Sequence, residues 1–154
     1  MNATVDRIFE AHLTVRNVAL STGFYRDRLG LEVAHVSSDR VAFLWAGGRG
    51  RTMLGLWAAS AAPQQVTSHI AFATTLADVI NAPTWLERSG ITPLDFDGQP
   101  TREPVVLAWM PAVAVYFRDP DGHLLEFIAM LDDVAQPEGG VLTWSMWNAR
   151  KGEG

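Results

Sequence analysis

At 154 residues the chain has the length of one domain with a sizeable core. A formal net charge of −5 leaves no basic footprint for nucleic acid, no apolar run is long enough to span a bilayer, and the lack of cysteine excludes disulfides, thiolate metal sites and a cysteine nucleophile. The first ten residues have neither the charged nor the apolar region of a signal peptide, so a cytoplasmic protein is expected.

In chain order, Phe9 to Val15 reads as a strand with His12 and Thr14 on one face and Leu13 and Val15 on the other. Asn17 is placed to cap a helix from Val18 to Leu29, with Leu20, Phe24 and Leu29 as its apolar stripe and Gly30 ending it. Three strands follow at Leu31–Val36, Val41–Trp45 and Met53–Ala58, the last two joined by a Gly/Arg turn; residues 59–65 read as a linker. The pattern then restarts. Ser68 to Ala73 echoes the first strand with His69 in the place of His12, and a helix runs from Asp78 to Arg88 with Pro83 as a kink or a late start. After the loop 95–104, strands at Val113–Phe117 and Leu124–Ala129 flank the turn Asp119-Pro120-Asp121-Gly122. The expected fold class is therefore α+β: two β-α-β-β-β modules, about 8–60 and 66–132, forming a curved mixed sheet with helices on its convex side. Residues 133–154 read as an extension lying on the domain surface or on a partner, anchored by Trp144 and Trp147.

Glu126 is the first functional suspect, because strand alternation sets it opposite Leu125 and Phe127, beside Leu124 and Ile128. A lone carboxylate among apolar neighbours is costly unless it is paired or binds metal. The bland reading is a salt bridge to Arg118 or Arg102. Equivalent histidines in two repeats favour the other one: His12, His69 and Glu126 on one side of a paired sheet form a two-His, one-carboxylate set with open positions, suited to Mn, Fe, Ni or Zn. His123 reads as a solvated turn residue and His35 receives no role. Trp45, Trp57 and Trp109 could line a pocket or serve as core. Asp39 and Glu32 are candidate general bases, or simply exposed.

The segments H-L-T-V, G-F-Y-R-D-R-L-G-L, S-H-I-A-F and Y-F-R-D-P-D-G-H-L-L-E-F-I resemble the vicinal oxygen chelate superfamily over roughly residues 9–131. That group includes glyoxalase I, fosfomycin-resistance enzymes, extradiol dioxygenases, methylmalonyl-CoA epimerase and bleomycin-binding proteins. The resemblance implies that His12, His69 and Glu126 are the metal ligands, that Thr14 and Tyr116 contact substrate, and that the chain forms a homodimer. A fourth ligand, Glu or Gln in glyoxalase I, is sought on the last strand of the first module. Counting from Gly50 as Glu126 counts from Gly122 lands on Leu54, beside Gly55, and neither can take that part. The potassium loop of the fosfomycin thiol transferases is replaced by Trp109-Met110-Pro111-Ala112-Val113, and the upstream histidine of the dioxygenase signature is missing from the same region. The expected function is divalent-metal-dependent lyase, isomerase or thiol-transferase chemistry on a small oxygen-bearing substrate. An extradiol-type Fe(II) dioxygenase and a non-catalytic ligand-binding resistance protein are the alternatives. The loop 95–104 and the tail are expected to shape specificity.

Overall fold

The computed structural model describes residues 8–37, 39–60 and 67–152; most of the linker read at 59–65 lies outside them. Among these residues there are two mixed sheets and three α-helices, and the chain divides into two compact units. The fold class is the α+β duplication expected, each module building its own sheet.

The first unit comprises residues 1–68 together with Asp119–Gly122. Its elements are β1 (Glu10–Val15), α1 (Val18–Asp27), β2 (Glu32–Ser37), β3 (Val41–Ala46) and β4 (Thr52–Ala58), with sheet order β1-β4-β3-β2. β1 runs parallel to β4, and the other pairs are antiparallel. The register sorts two faces. Leu13, Val15, Ala42, Leu44, Leu54 and Leu56 share the buried one, while His12, Thr14, Phe43, Gly55 and Trp57 share the other.

Asn17 caps α1 as expected, its side chain accepting from the Leu20 amide. The buried stripe of that helix differs from the expected one. Val18, Ser21, Thr22 and Tyr25 are buried, whereas Leu20 is exposed. The reason lies about a hundred residues away in sequence, in the turn that belongs to this unit. The Tyr25 hydroxyl donates to Asp119 Oδ2 at 2.9 Å, and the Ser21 hydroxyl to Asp121 Oδ2 at 2.9 Å. Arg16 donates its amide and its Nε to Asp121 Oδ1 at 2.8 and 3.0 Å, and its guanidinium to the Pro120 carbonyl at 2.8 Å. Within the turn the Gly122 amide bonds the Asp119 carbonyl, and Gly122 takes φ 87°, where a side chain would be strained.

Burial pulls the Asp121 carboxyl upward, but the Arg16 amide and guanidinium and the Ser21 hydroxyl outweigh it and hold the group below its usual range. A depressed carboxylate stabilises the fold above its unfolded value of about 3.9 and loses that contribution as pH falls through the lower folded value. Asp121→Asn is therefore expected to lower stability at pH 7 by about 1.5–3 kcal/mol and to flatten the acid limb of urea-unfolding midpoints measured below pH 4. A variant with the wild-type acid limb would refute this assignment.

The second unit holds β5 (His69–Ala73), α2 (Leu76–Arg88), β6 (Val105–Leu107), β7 (Ala112–Arg118), β8 (Leu124–Met130), β9 (Val141–Thr143) and α3 (Trp144–Gly152), in sheet order β5-β8-β7-β6-β9. α2 begins before the expected Asp78 because Thr75 caps it: the Thr75 hydroxyl accepts from the Asp78 amide at 3.2 Å and donates to the Asp78 carboxylate at 2.6 Å. Pro83 sits buried inside the helix rather than at its start. Between α2 and β6, Leu94 bridges Tyr116 and Pro100.

The tail does more than lie on a surface. β9 pairs with β6 as a fifth strand, and Glu103 receives the Ser145 amide (2.8 Å) and hydroxyl (3.0 Å) at the start of α3. Trp147 is 1% exposed, and its indole N–H donates to Asp133 at 3.1 Å. His123, expected to be solvated, is also 1% exposed, because β8 begins at the next residue and draws it into the packed hairpin end.

Candidate metal and substrate site

Glu126 lies on β8 with Tyr116 directly opposite it on β7, and Ala71 of β5 opposite on its other side. This face of the second sheet is apolar. Leu94, Val105, Ala114 and Tyr116 pack together, with Leu124, Ile128 and Val141 against them. Glu126 is 5% exposed there. Neither Arg118 nor Arg102 is its partner; Glu126 Oε2 lies 3.0 Å from His69 Nε2. The other imidazole nitrogen, Nδ1, lies 3.2 Å from the Leu124 carbonyl. A carbonyl oxygen only accepts, so Nδ1 donates to it, and Nε2 is the atom turned to the carboxylate. Glu126 Oε1 is buried and has no hydrogen-bond partner among the described residues.

Burial pushes the Glu126 carboxyl above its ordinary value, and the His69 ring and Tyr116 hydroxyl draw it back only in part. Tyr116 is shifted upward too, first by burial and then by the Glu126 charge. Its hydroxyl therefore stays protonated near neutrality and is available as a donor.

His12 occupies the equivalent strand position in the first unit. Its Nε2 is 3.1 Å from Glu10 Oε1, its ring stacks on Trp57 at 5.8 Å between centroids, and Phe43 meets it edge-on at 6.1 Å. Gly55, its partner across the β1–β4 ladder, leaves room for the ring: a Cβ there would stand 3.3 Å from Phe43 and 3.4 Å from His12. Thr14 is half-buried on the same face, opposite Trp57.

The pairing register also corrects the position equivalent to Glu126. His12 pairs with Gly55 and His69 with Leu124, so two residues on from each partner stand Trp57 and Glu126. The first-module counterpart is Trp57, not Leu54, because the parallel ladder fixes the register from the histidine rather than from the turn glycine. The Trp57 indole N–H is buried and has no hydrogen-bond partner among the described residues.

Of the other residues singled out in the sequence, Glu32 is paired with Arg49, and Asp39 and His35 are exposed. Trp45 packs edge-on against Phe9 in the first unit, and Trp109 against Phe96 in the second. Sequence reasoning missed Phe96; its one signal is a single aromatic in the polar run D-F-D-G. Among the described residues no group of three or more His, Asp or Glu side chains is gathered as a metal-holding set. The donors of the second unit nonetheless suit one: an imidazole whose Nδ1 is tied to a carbonyl, leaving Nε2 beside the Glu126 carboxylate, and that buried carboxylate with an unmatched oxygen.

A β-α-β-β-β unit repeated, with a histidine on each first strand and a glutamate closing the second repeat, defines a glyoxalase-like protein. The chain belongs to the Glyoxalase/Bleomycin resistance protein/Dioxygenase superfamily, whose sequence model matches residues 5–127. An integron cassette protein from the mobile metagenome of the Halifax Harbour sewage outfall is similar at 32% identity, with 82% of this chain and 100% of that one covered and a TM-score of 0.69. Lactoylglutathione lyase from Agrobacterium tumefaciens shares the fold at 22% identity, covering 82% and 96% with a TM-score of 0.66. A glyoxalase/bleomycin resistance protein/dioxygenase from Nocardioides does so at 20%, covering 87% and 89% with a TM-score of 0.64. No curated protein matches the chain. The superfamily includes lyases and dioxygenases as well as proteins that are not enzymes. Among the described residues no helix is long and apolar enough to cross a membrane.

Proposed function

We propose that the protein is a divalent-metal-dependent enzyme of lyase, isomerase or thiol-transferase type, acting on a small substrate that presents two neighbouring oxygens or a carbonyl or epoxide oxygen. The observation that carries this is the His69–Glu126 pair at 3.0 Å, with the imidazole ring oriented by the Leu124 carbonyl at Nδ1 and one carboxylate oxygen buried and unmatched. His69 and Glu126 are ligands on this reading, and His12, their counterpart in the first repeat, is the third. A bound Mn, Fe, Ni or Zn ion supplies Lewis-acid stabilisation of negative charge developing on a substrate oxygen. Tyr116, held protonated, donates a hydrogen bond to the substrate, and Thr14 orients it. The position where glyoxalase I carries a fourth ligand holds Trp57, whose indole N–H is a donor only and cannot act as an acid–base group, so isomerisation through that residue is disfavoured against opening or addition reactions. The sequence's lack of cysteine and its acidic balance support a cytoplasmic setting, and the family resemblance supports a homodimer, which sedimentation equilibrium would test.

Elemental analysis of the purified protein is the test. Near-stoichiometric metal is expected in the wild type and its loss in each of His12→Ala, His69→Ala and Glu126→Ala. Full divalent-metal affinity in all three variants would overturn the assignment. Oxygen uptake with catechols would move the protein to the dioxygenase reading, and ligand binding unaffected by chelator to the binding-protein reading.

A further inference from the structure

Resting on the metal-dependent reading above, we infer that the substrate carries a planar aromatic or conjugated ring beside its oxygens, and that Phe96 and Trp109 form the wall receiving that ring. Within the second unit a line of rings runs outward from the buried carboxylate. His69 lies 6.1 Å from Tyr116 between centroids, Tyr116 6.2 Å from Phe96, and Phe96 6.1 Å from Trp109. Of the inner pair, Tyr116 is buried, while the His69 side chain is half exposed and held by its bonds to Glu126 and the Leu124 carbonyl. At the outer end, Phe96 is 50% and Trp109 41% exposed.

Exposed large rings are often incidental, but this arrangement is built. Leu94 exchanges both backbone hydrogen bonds with Tyr116, at 2.7 and 3.0 Å. Asp95 Oδ1 accepts from the amides of Asp97 (3.0 Å) and Gln99 (2.8 Å), and the Asp95 amide donates to the Gln99 carbonyl at 2.8 Å. The loop thus ties itself off on both sides of Phe96 and presents the ring to water instead of turning it inward. A ring already fixed in place loses little conformational freedom when a ligand arrives. Phe96 meets Tyr116 and Trp109 at 75° and 77°, edge to face, leaving ring surface uncovered on the two outer members. A planar group can complete that set by stacking or by a further edge contact, whereas a saturated chain gains only the area term. The line starts at the His69–Glu126 pair, so the occupant's oxygens fall at that donor end and its ring at the Phe96–Trp109 end.

Acetohydroxamate and benzohydroxamate separate the two claims, since both chelate a metal through paired oxygens and only the second bears a ring. Calorimetric titration into the Mn-loaded protein is expected to show benzohydroxamate binding about tenfold tighter in the wild type. That preference is expected to fall to about threefold or less in Phe96→Leu and in Trp109→Ala, with acetohydroxamate affinity unchanged in both. Equal affinity for the two probes in the wild type, or an undiminished preference in both variants, overturns the ring-binding wall while leaving the metal site standing. Binding of neither probe by protein that holds no metal overturns both readings.

Discussion

Glu126→Gln is expected to weaken divalent-metal binding by about a hundredfold or more while raising the melting temperature of the metal-free protein at neutral pH. The first effect follows from removing a ligand, when even outer-shell partners are worth about 10–100-fold. The second follows from where the charge sits. Glu126 is buried on the strand face it shares with Leu124 and Ile128, and burial lifts its carboxyl above the ordinary value despite His69 and Tyr116. A group whose folded value is raised adds stability below its unfolded value of about 4.3 and loses it as pH rises through the folded one. Once ionised, the wild-type side chain therefore carries a charge the fold resists, and glutamine does not. The gain is expected to shrink as pH falls, where the wild type is protonated as well. Parallel metal titrations and thermal melts between pH 4 and 7 read both effects. A variant that lost metal and also melted lower at pH 7 would show the carboxylate to be a structural member of the sheet.

The largest loss of stability is expected at the other end of the second unit. Trp147→Ala removes a side chain that is almost wholly buried, together with the indole N–H that donates to Asp133. Truncation of a buried aromatic of this size costs about 3–5 kcal/mol. Lys151, which pairs with Asp133 at 2.5 Å and lies 5.8 Å over the Trp147 ring, loses its seat as well. Urea unfolding is expected to report that loss together with earlier amide exchange in β9. Trp147→Phe keeps most of the packing and gives up the indole hydrogen bond, so its smaller loss separates the two contributions. Wild-type stability in Trp147→Ala would mean that the tail is a passive appendage.

The duplication, the Asn17 cap, the Asp-Pro-Asp-Gly turn and the facing of Glu126 were legible because each rests on local rules: a capping side chain, a turn residue, a two-residue strand period. The buried face of α1 was not. Counting apolar residues selects Leu20 and Phe24, but Ser21 and Tyr25 are inside because Asp121 and Asp119 meet them there, and a partner a hundred residues off leaves no mark on a helical pattern. The Trp57–Glu126 equivalence was hidden for a related reason. Strand position is set by the neighbour across the ladder: the turns preceding β4 and β8 match in length, but His12 pairs with Gly55, well inside β4, while His69 pairs with Leu124 at the very start of β8. The three residues of β9 carry too short a pattern to announce a strand, and only pairing with β6 makes one.

The turn that links β7 to β8 belongs to the first unit, although both strands it joins belong to the second. A gene fragment encoding the first repeat alone would therefore yield a chain with an arginine, a serine and a tyrosine looking for two aspartates encoded about a hundred codons downstream. The two halves descend from one pattern but are no longer interchangeable parts. Attempts to split the protein into complementing fragments should keep residues 119–122 with the N-terminal piece, or supply them twice.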